Sequence, residues 1–178
     1  GLDYLYAYED LLNAPLLGAN VVHAGTNDPA FTPYVIMDRV VGGETVKVGV
    51  LGLVTPGVRV WDKAIVEGIL DFKDLVTTAR EYVPQMKAEG AEVIVVLAHT
   101  GKDADGAAWD PSDLGENLAA SLATLVPDVD VLIAGHSHVD IPTQVYHRAD
   151  GGEIVLFTQP YYWARSVSDM TIPIATAE

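Results

Sequence analysis

Two apolar runs, residues 93–98 and 131–134, limit what this chain can fold into. Each is the length of a strand and neither has a polar face. Strands of that kind need cover on both sides, which is the pattern of a layered α/β sheet. The stretch between them predicts a helix. Asp113 and Glu116 have the spacing of a capping box, and Leu114, Leu118, Leu122 and Leu125 make an apolar stripe. A longer helix is predicted over residues 74–89. There Leu75, Ala79, Tyr82, Val83 and Met86 share a face, Gly90 stands at the C-cap, and Pro84 is expected to introduce a kink.

Weaker patterns complete the order. Residues 2–13 read as a short helix ended by Pro15, 16–22 as a strand, and 23–33 as a loop rich in Gly, Asn, Asp and Pro. Residues 34–41 and 46–54 read as a hairpin around Gly42, Gly43 and Glu44. Gly49 and Gly52 in its second strand predict close backbone approach. Residues 143–146, 153–157 and 166–174 alternate like antiparallel strands. The sum is one α/β domain with a mixed sheet and no internal repeat.

Ten Lys and Arg against 25 Asp and Glu give a formal charge of −15. A nucleic-acid polymer needs a basic surface, so that partner class is excluded. A small phosphate ligand is not, because a bound cation supplies positive charge locally. No apolar run is long enough for a transmembrane span. There is no cysteine, which removes disulfide and thiolate chemistry and suits an extracellular protein. No signal-peptide pattern opens the sequence.

The chemistry concentrates where the apolar runs stop. The first ends in His99, and the second in Gly135-His136-Ser137-His138. Parallel neighbours would bring their carboxyl ends to one sheet edge, where α/β proteins bind ligands. Three imidazoles converging there would suit a divalent transition metal. An extended His-x-His would point both rings to one side. His23 and His147 are expected to be solvated. Asp103, Asp105 and Asp110 lack EF-hand spacing and read as a solvated acidic loop. No G-x-S-x-G elbow, P-loop or G-x-G-x-x-G occurs. Asn20 reads as a core or turn residue. Tyr161-Tyr162-Trp163 either lines a contact with a substrate or domain, or packs under the sheet edge.

Several segments together resemble a known family. They are Ala19-Asn20-Val21, Val54-Thr55-Pro56, Val60-Trp61-Asp62-Lys63-Ala64, residues 79–86, Ala98-His99-Thr100-Gly101 and Gly135-His136-Ser137-His138. They resemble the calcineurin-like metallophosphoesterases, within them the group of 5′-nucleotidases and 2′,3′-cyclic-nucleotide 2′-phosphodiesterase/3′-nucleotidases. Trp61-Asp62-Lys63 and Tyr82-Val83-Pro84 resemble the cyclic phosphodiesterase branch more than the 5′-nucleotidase branch. The resemblance implies part of a four-layer α/β/β/α sandwich with mixed sheets. It also implies hydrolysis of small nucleotide phosphoesters at a centre of two divalent ions (Zn, Mn, Fe or Co), in an extracellular, periplasmic or cell-wall setting. By that match His99 and His136 hold one ion and His138 the other.

The family's earlier ligand blocks, Asp-x-His, Gly-Asp and Gly-Asn-His, have no counterpart in the sequence. The resemblance therefore implies that residues 1–178 are a partial catalytic domain, without the family's C-terminal nucleotide-binding domain. Such a chain is expected to be inactive alone, with no catalytic residue to assign beyond the metal ligands. It is also expected to self-associate through an uncovered apolar sheet face.

Overall fold

A computed structural model describes residues 1–147 and 154–174. In chain order the elements are α1 (Leu2–Glu9), β1 (Val21–His23), β2 (Tyr34–Val41), β3 (Glu44–Val54), α2 (Val58–Trp61), α3 (Lys63–Val66) and β4 (Leu70–Phe72). Then follow α4 (Leu75–Ala88), β5 (Val93–His99), α5 (Ala119–Leu125), β6 (Val131–Ala134), β7 (Ile141–His147) and β8 (Ile154–Gln159). The described residues form one six-stranded mixed sheet in the order β2-β3-β5-β6-β8-β7, and a separate pair, β1-β4. The inner strands β3, β5, β6 and β8 run parallel, and β2 and β7 close the two edges antiparallel.

Alternation along the strands sorts the two faces. Leu51, Leu53, Ile94, Val96, Ala98, Leu132, Ala134, Val155 and Phe157 pack into one core with Leu75, Val76, Ala79, Val83 and Met86 of α4 and Ala119, Leu122 and Ala123 of α5. The other face carries Val48, Val50, Val95, Leu97 and Ile133, which are half-buried or, at Leu97, exposed. Chain segment 17–19 crosses part of that face. Ala19 N donates to Gly52 O at 2.8 Å, and a Cβ at Gly52 would stand 2.8–2.9 Å from Leu17 main-chain atoms. Real Cβ atoms do not approach so closely, so the expected close approach at Gly52 is met. A smaller cluster of Val21, Val66, Leu70 and Phe72 supports the β1-β4 pair.

α4 forms as its pattern predicts. Asp74 caps it by accepting from Thr77 N at 2.7 Å, and Gly90 (φ +95) closes it, with Ala91 N donating to Met86 O at 3.0 Å. Pro84 lies within the helix without ending it. Residues 16–22 are not a strand throughout; Val21–His23 pairs with β4, and the preceding segment makes an isolated bridge, Leu17 to Thr32. The strand expected over 166–174 is absent, and position 153 lies outside the described residues. α1 ends at Glu9, ahead of Pro15, with no residue fully buried. Neither α2, α3 nor β4 was expected from the pattern.

The capping box at Asp113 and Glu116 does not form. α5 begins only at Ala119, without a cap from its own N-terminal residue. Asp103 does the capping from the loop after β5. Its carboxylate accepts from Ala120 N at 2.6 Å, from Ser121 N at 3.2 Å and from Ser121 Oγ at 2.5 Å. Asp103 is thus a structural ligand of a helix end, not part of a solvated loop, and Asp105 receives a hydrogen bond from Tyr146 OH at 3.0 Å. Asp103→Ala is expected to cost about 1–2 kcal/mol, the usual loss for an N-cap. Asp113→Ala should stay within about 0.5 kcal/mol. Urea denaturation of the two variants checks the assignment.

Candidate metal centre

The site begins with the register of two parallel strands. Ala98 of β5 pairs with Ala134 of β6, so His99 and the segment after Ala134 leave the sheet side by side. Along β5, His99 shares a face with Val95 and Leu97, opposite the helices. The two following loops are then tied together. Gly135 N donates to Thr100 O at 3.2 Å, and Gly101 N donates to Asn117 Oδ1 at 3.1 Å. A Cβ at Gly101 would stand 2.7 Å from Ser137 Cβ and closer still to Asn117 Oδ1, so only glycine lets these loops meet. Thr100, fully buried, donates through Oγ1 to Glu116 O at 2.8 Å and accepts from Leu118 N at 3.0 Å.

This packing brings two of the three expected histidines into contact. The rings of His99 and His136 lie 5.2 Å apart between centroids, edge to face at 65°. His136 is further held on two sides. The indole of Trp61 stacks on it at 5.1 Å, and its Nε2 stands 2.7 Å from Glu116 Oε1. His138 takes a different neighbour, stacking on Tyr162 at 4.6 Å. The loop under it is fixed by Gln159, fully buried, whose Nε2 donates to Val139 O at 2.7 Å and to Ser137 Oγ at 2.9 Å.

The His-x-His is not extended. His136 (φ 71) and His138 (φ 56) are both left-handed, a region that non-glycine residues seldom occupy and that concentrates at functional sites. The extended-segment argument for a common ring direction therefore does not apply. His23 ends β1 and His147 ends β7, and both are exposed. Asn20 is fully buried and bridges backbone, donating to Val54 O and accepting from Val54 N, which is the expected core role. Tyr161 and Tyr162 are half-buried, but Trp163 is 79% exposed, so the run does not pack under the sheet edge as a unit.

The donor chemistry suits a divalent transition metal, because two imidazoles adjoin and one is biased towards its neutral form. Burial of part of the ring lowers the His99 pKa from its ordinary value, and the charges of His136 and His138 lower it further. Number is the shortfall. Among the described residues no group of three or more His, Cys, Asp or Glu side chains is arranged to hold a metal ion. A concavity of about 390 Å³ opens beside α2, α3 and β4, lined by Arg59, Lys63, Glu67 and Asp71 among others, and none of the three histidines lines it.

The lowered His99 pKa has a sign that can be checked. The unfolded chain takes up this proton near the ordinary imidazole value of about 6.5, and the folded chain only at lower pH. The unfolded state therefore binds more protons between the two values. The contribution of His99 to stability is complete above about pH 6.5 and is lost as pH falls towards the folded value. An NMR titration should place the His99 midpoint below the ordinary imidazole value of about 6.5. A midpoint at or above that value would contradict the desolvation of this ring.

Signals for the surroundings of these histidines were weaker in the sequence. Trp61 and Glu116 were not expected at the site. Its spacing from Asp113 gives Glu116 the pattern of a capping-box residue, and because that box does not form its side chain is free to reach His136.

No protein-family model matches the chain. It is 38% identical over 180 residues to a 2′,3′-cyclic-nucleotide 2′-phosphodiesterase/3′-nucleotidase of Haemophilus influenzae, a match covering 94% of this chain and 27% of that protein. It is 33% identical over 132 residues to the cell wall protein Lmo0130 of Listeria monocytogenes, covering 69% of this chain and 16% of that one. The crystal structure of the calcineurin-like phosphoesterase YfkN from Bacillus subtilis superposes with a TM-score of 0.79 at 33% identity, over 92% of this chain and 51% of the other. The chain spans about a quarter of the length of the nucleotidase relative.

Proposed function

From its membership of the calcineurin-like phosphoesterase superfamily, we propose that this chain forms part of the catalytic domain of a metal-dependent nucleotide phosphoesterase, one that hydrolyses 2′,3′-cyclic nucleotides and 3′-nucleotides. The observation that carries the reading is the meeting of the His99 and His136 rings, 5.2 Å apart, at the carboxyl edge of two parallel strands. In this reading His99, His136 and His138 are metal ligands, and the remaining donors lie outside these 178 residues. A bound divalent cation would polarise the phosphoester and offset its charge. His99 contributes a ring biased to the neutral, ligating form. Trp61 covers one face of His136 and Tyr162 one face of His138, which restricts where each ring can turn.

The acidic surface is consistent with this reading only if cations carry the substrate's phosphate, since the formal charge is −15. Similarity to a protein named as a cell wall protein supports an extracellular or periplasmic setting. No helix among the described residues is long and apolar enough to cross a membrane. The half-exposed apolar face of β3, β5 and β6 supports self-association of the isolated chain.

Substrate profiling of the full-length protein, with and without added divalent metal, tests the function. Metal-dependent hydrolysis of 2′,3′-cyclic AMP and 3′-AMP, with kcat/KM above that for 5′-AMP, is expected. A preference for 5′-AMP or UDP-glucose would move the protein to the 5′-nucleotidase branch. No hydrolysis of any of these would favour a binding module on the same fold.

A further inference from the structure

We propose that Glu116 is a positioning residue that holds His136 as the Nε2–H tautomer and so leaves Nδ1 as the donor atom of that ring. The inference rests on the reading of His136 as a metal ligand. Its geometric part stands on the contacts alone. Glu116 Oε1 lies 2.7 Å from His136 Nε2. An ionised carboxylate only accepts, so the proton of this hydrogen bond resides on Nε2. A neutral imidazole has a single N–H, and the other nitrogen then carries the lone pair that a cation can take. No hydrogen bond to Nδ1 of His136 occurs among the described residues.

Three further observations show that the contact is built and not incidental. The His136 side chain is only 17% exposed, while that of Glu116 is 51% exposed, so the ring is enclosed and the carboxylate reaches in from the surface. Trp61 stacks on the ring and His99 meets it edge-on, which limits its rotation. The main chain of Glu116 is anchored independently of its side chain, through the bond from Thr100 Oγ1 to Glu116 O. A carboxylate on the far nitrogen of a ligating histidine is the usual way to fix ring tautomer and orientation, and its loss typically costs 10–100-fold in metal affinity.

The test uses the chain with ¹⁵N-labelled histidine at pH 8, above the ordinary imidazole range. Long-range ¹H–¹⁵N spectra assign the tautomer of each ring without metal or substrate. Wild type should show His136 with a protonated Nε2 and a bare Nδ1. Glu116→Ala should give a mixture of tautomers, and Glu116→Gln, whose amide oxygen can still accept, should restore most of the Nε2–H form. Because the side chain is half-exposed, both variants should unfold at the wild-type denaturant midpoint. Titration of the chain with Zn²⁺ should then show affinity falling about 10–100-fold in Glu116→Ala and less in Glu116→Gln. A bare Nε2 in wild type, or a His136 tautomer unchanged in Glu116→Ala, overturns the proposal. This outcome is distinct from failure of the functional reading, which shows in substrate profiling of the full-length protein and not in the ring spectra.

Discussion

His136→Ala in the full-length protein is expected to lower hydrolysis of 2′,3′-cyclic AMP by more than about a hundredfold. That figure is the upper end of what losing the partner of a ligating histidine costs, and losing the ligand itself costs more. His136 contacts His99, Trp61 and Glu116 at once, which puts it at the centre of the cluster. One alternative cause must be removed. His136 is left-handed (φ 71), and alanine tolerates that conformation poorly. His136→Asn answers this, because asparagine enters the left-handed region readily. Both variants should lose activity, while only the alanine variant should lose measurable stability. His147→Ala, exposed at the end of β7, should leave both unchanged. Activity above a tenth of wild type in His136→Asn would remove His136 from the site.

What the sequence revealed divides along physical lines. The inner strands and α4 were legible because their signals are local: uninterrupted apolar runs, one helical stripe, Asp74 at its start and Gly90 at its end. His99 and the 136–138 pair were legible because strand ends are. The meeting of His99 and His136 follows from parallel pairing, which the βαβ order implies, whereas His138 stacks on Tyr162 instead. What the sequence hid was tertiary. Asp103 caps a helix whose first residue is Ala119, and nothing in the spacing of the loop announces it. Glu116 has the sequence position of a cap partner but the spatial position of a histidine partner. The left-handed backbone at His136 and His138 is not announced by residue type, since histidine, although enriched in that region, adopts it in only a small minority of positions. The strand expected over 166–174 does not form: alternation gives a segment the pattern of a strand, but it carries no information about a pairing partner.

Phe157→Ala should be the most destabilising single truncation in the core, at about 3–5 kcal/mol. Phe157 has no solvent exposure and is, among the described residues, the largest side chain buried to that degree. Its ring meets Tyr146 edge to face at 5.7 Å, and its backbone lies between Leu132 of β6 and Gln144 of β7. Alanine would leave a cavity where β8 joins the two neighbouring strands, and aromatic contact energy would go with the buried area. Against a usual total of about 5–15 kcal/mol, the variant should be close to unfolding at growth temperature. Val167→Ala, at a position 89% exposed, is the contrast and should change stability by less than about 0.5 kcal/mol. The effect should also reach the site. Two residues further along the same strand, Gln159 holds the loop that carries His138, through Val139 O and Ser137 Oγ. A loosened β8 should therefore broaden the His138 resonance in the folded variant well below its denaturation midpoint, while His99, on β5, stays sharp. Denaturant titration and histidine NMR on one sample measure both. A stability loss under about 1 kcal/mol, or equal broadening at His99 and His138, would mean that β8 does not couple the core to this loop.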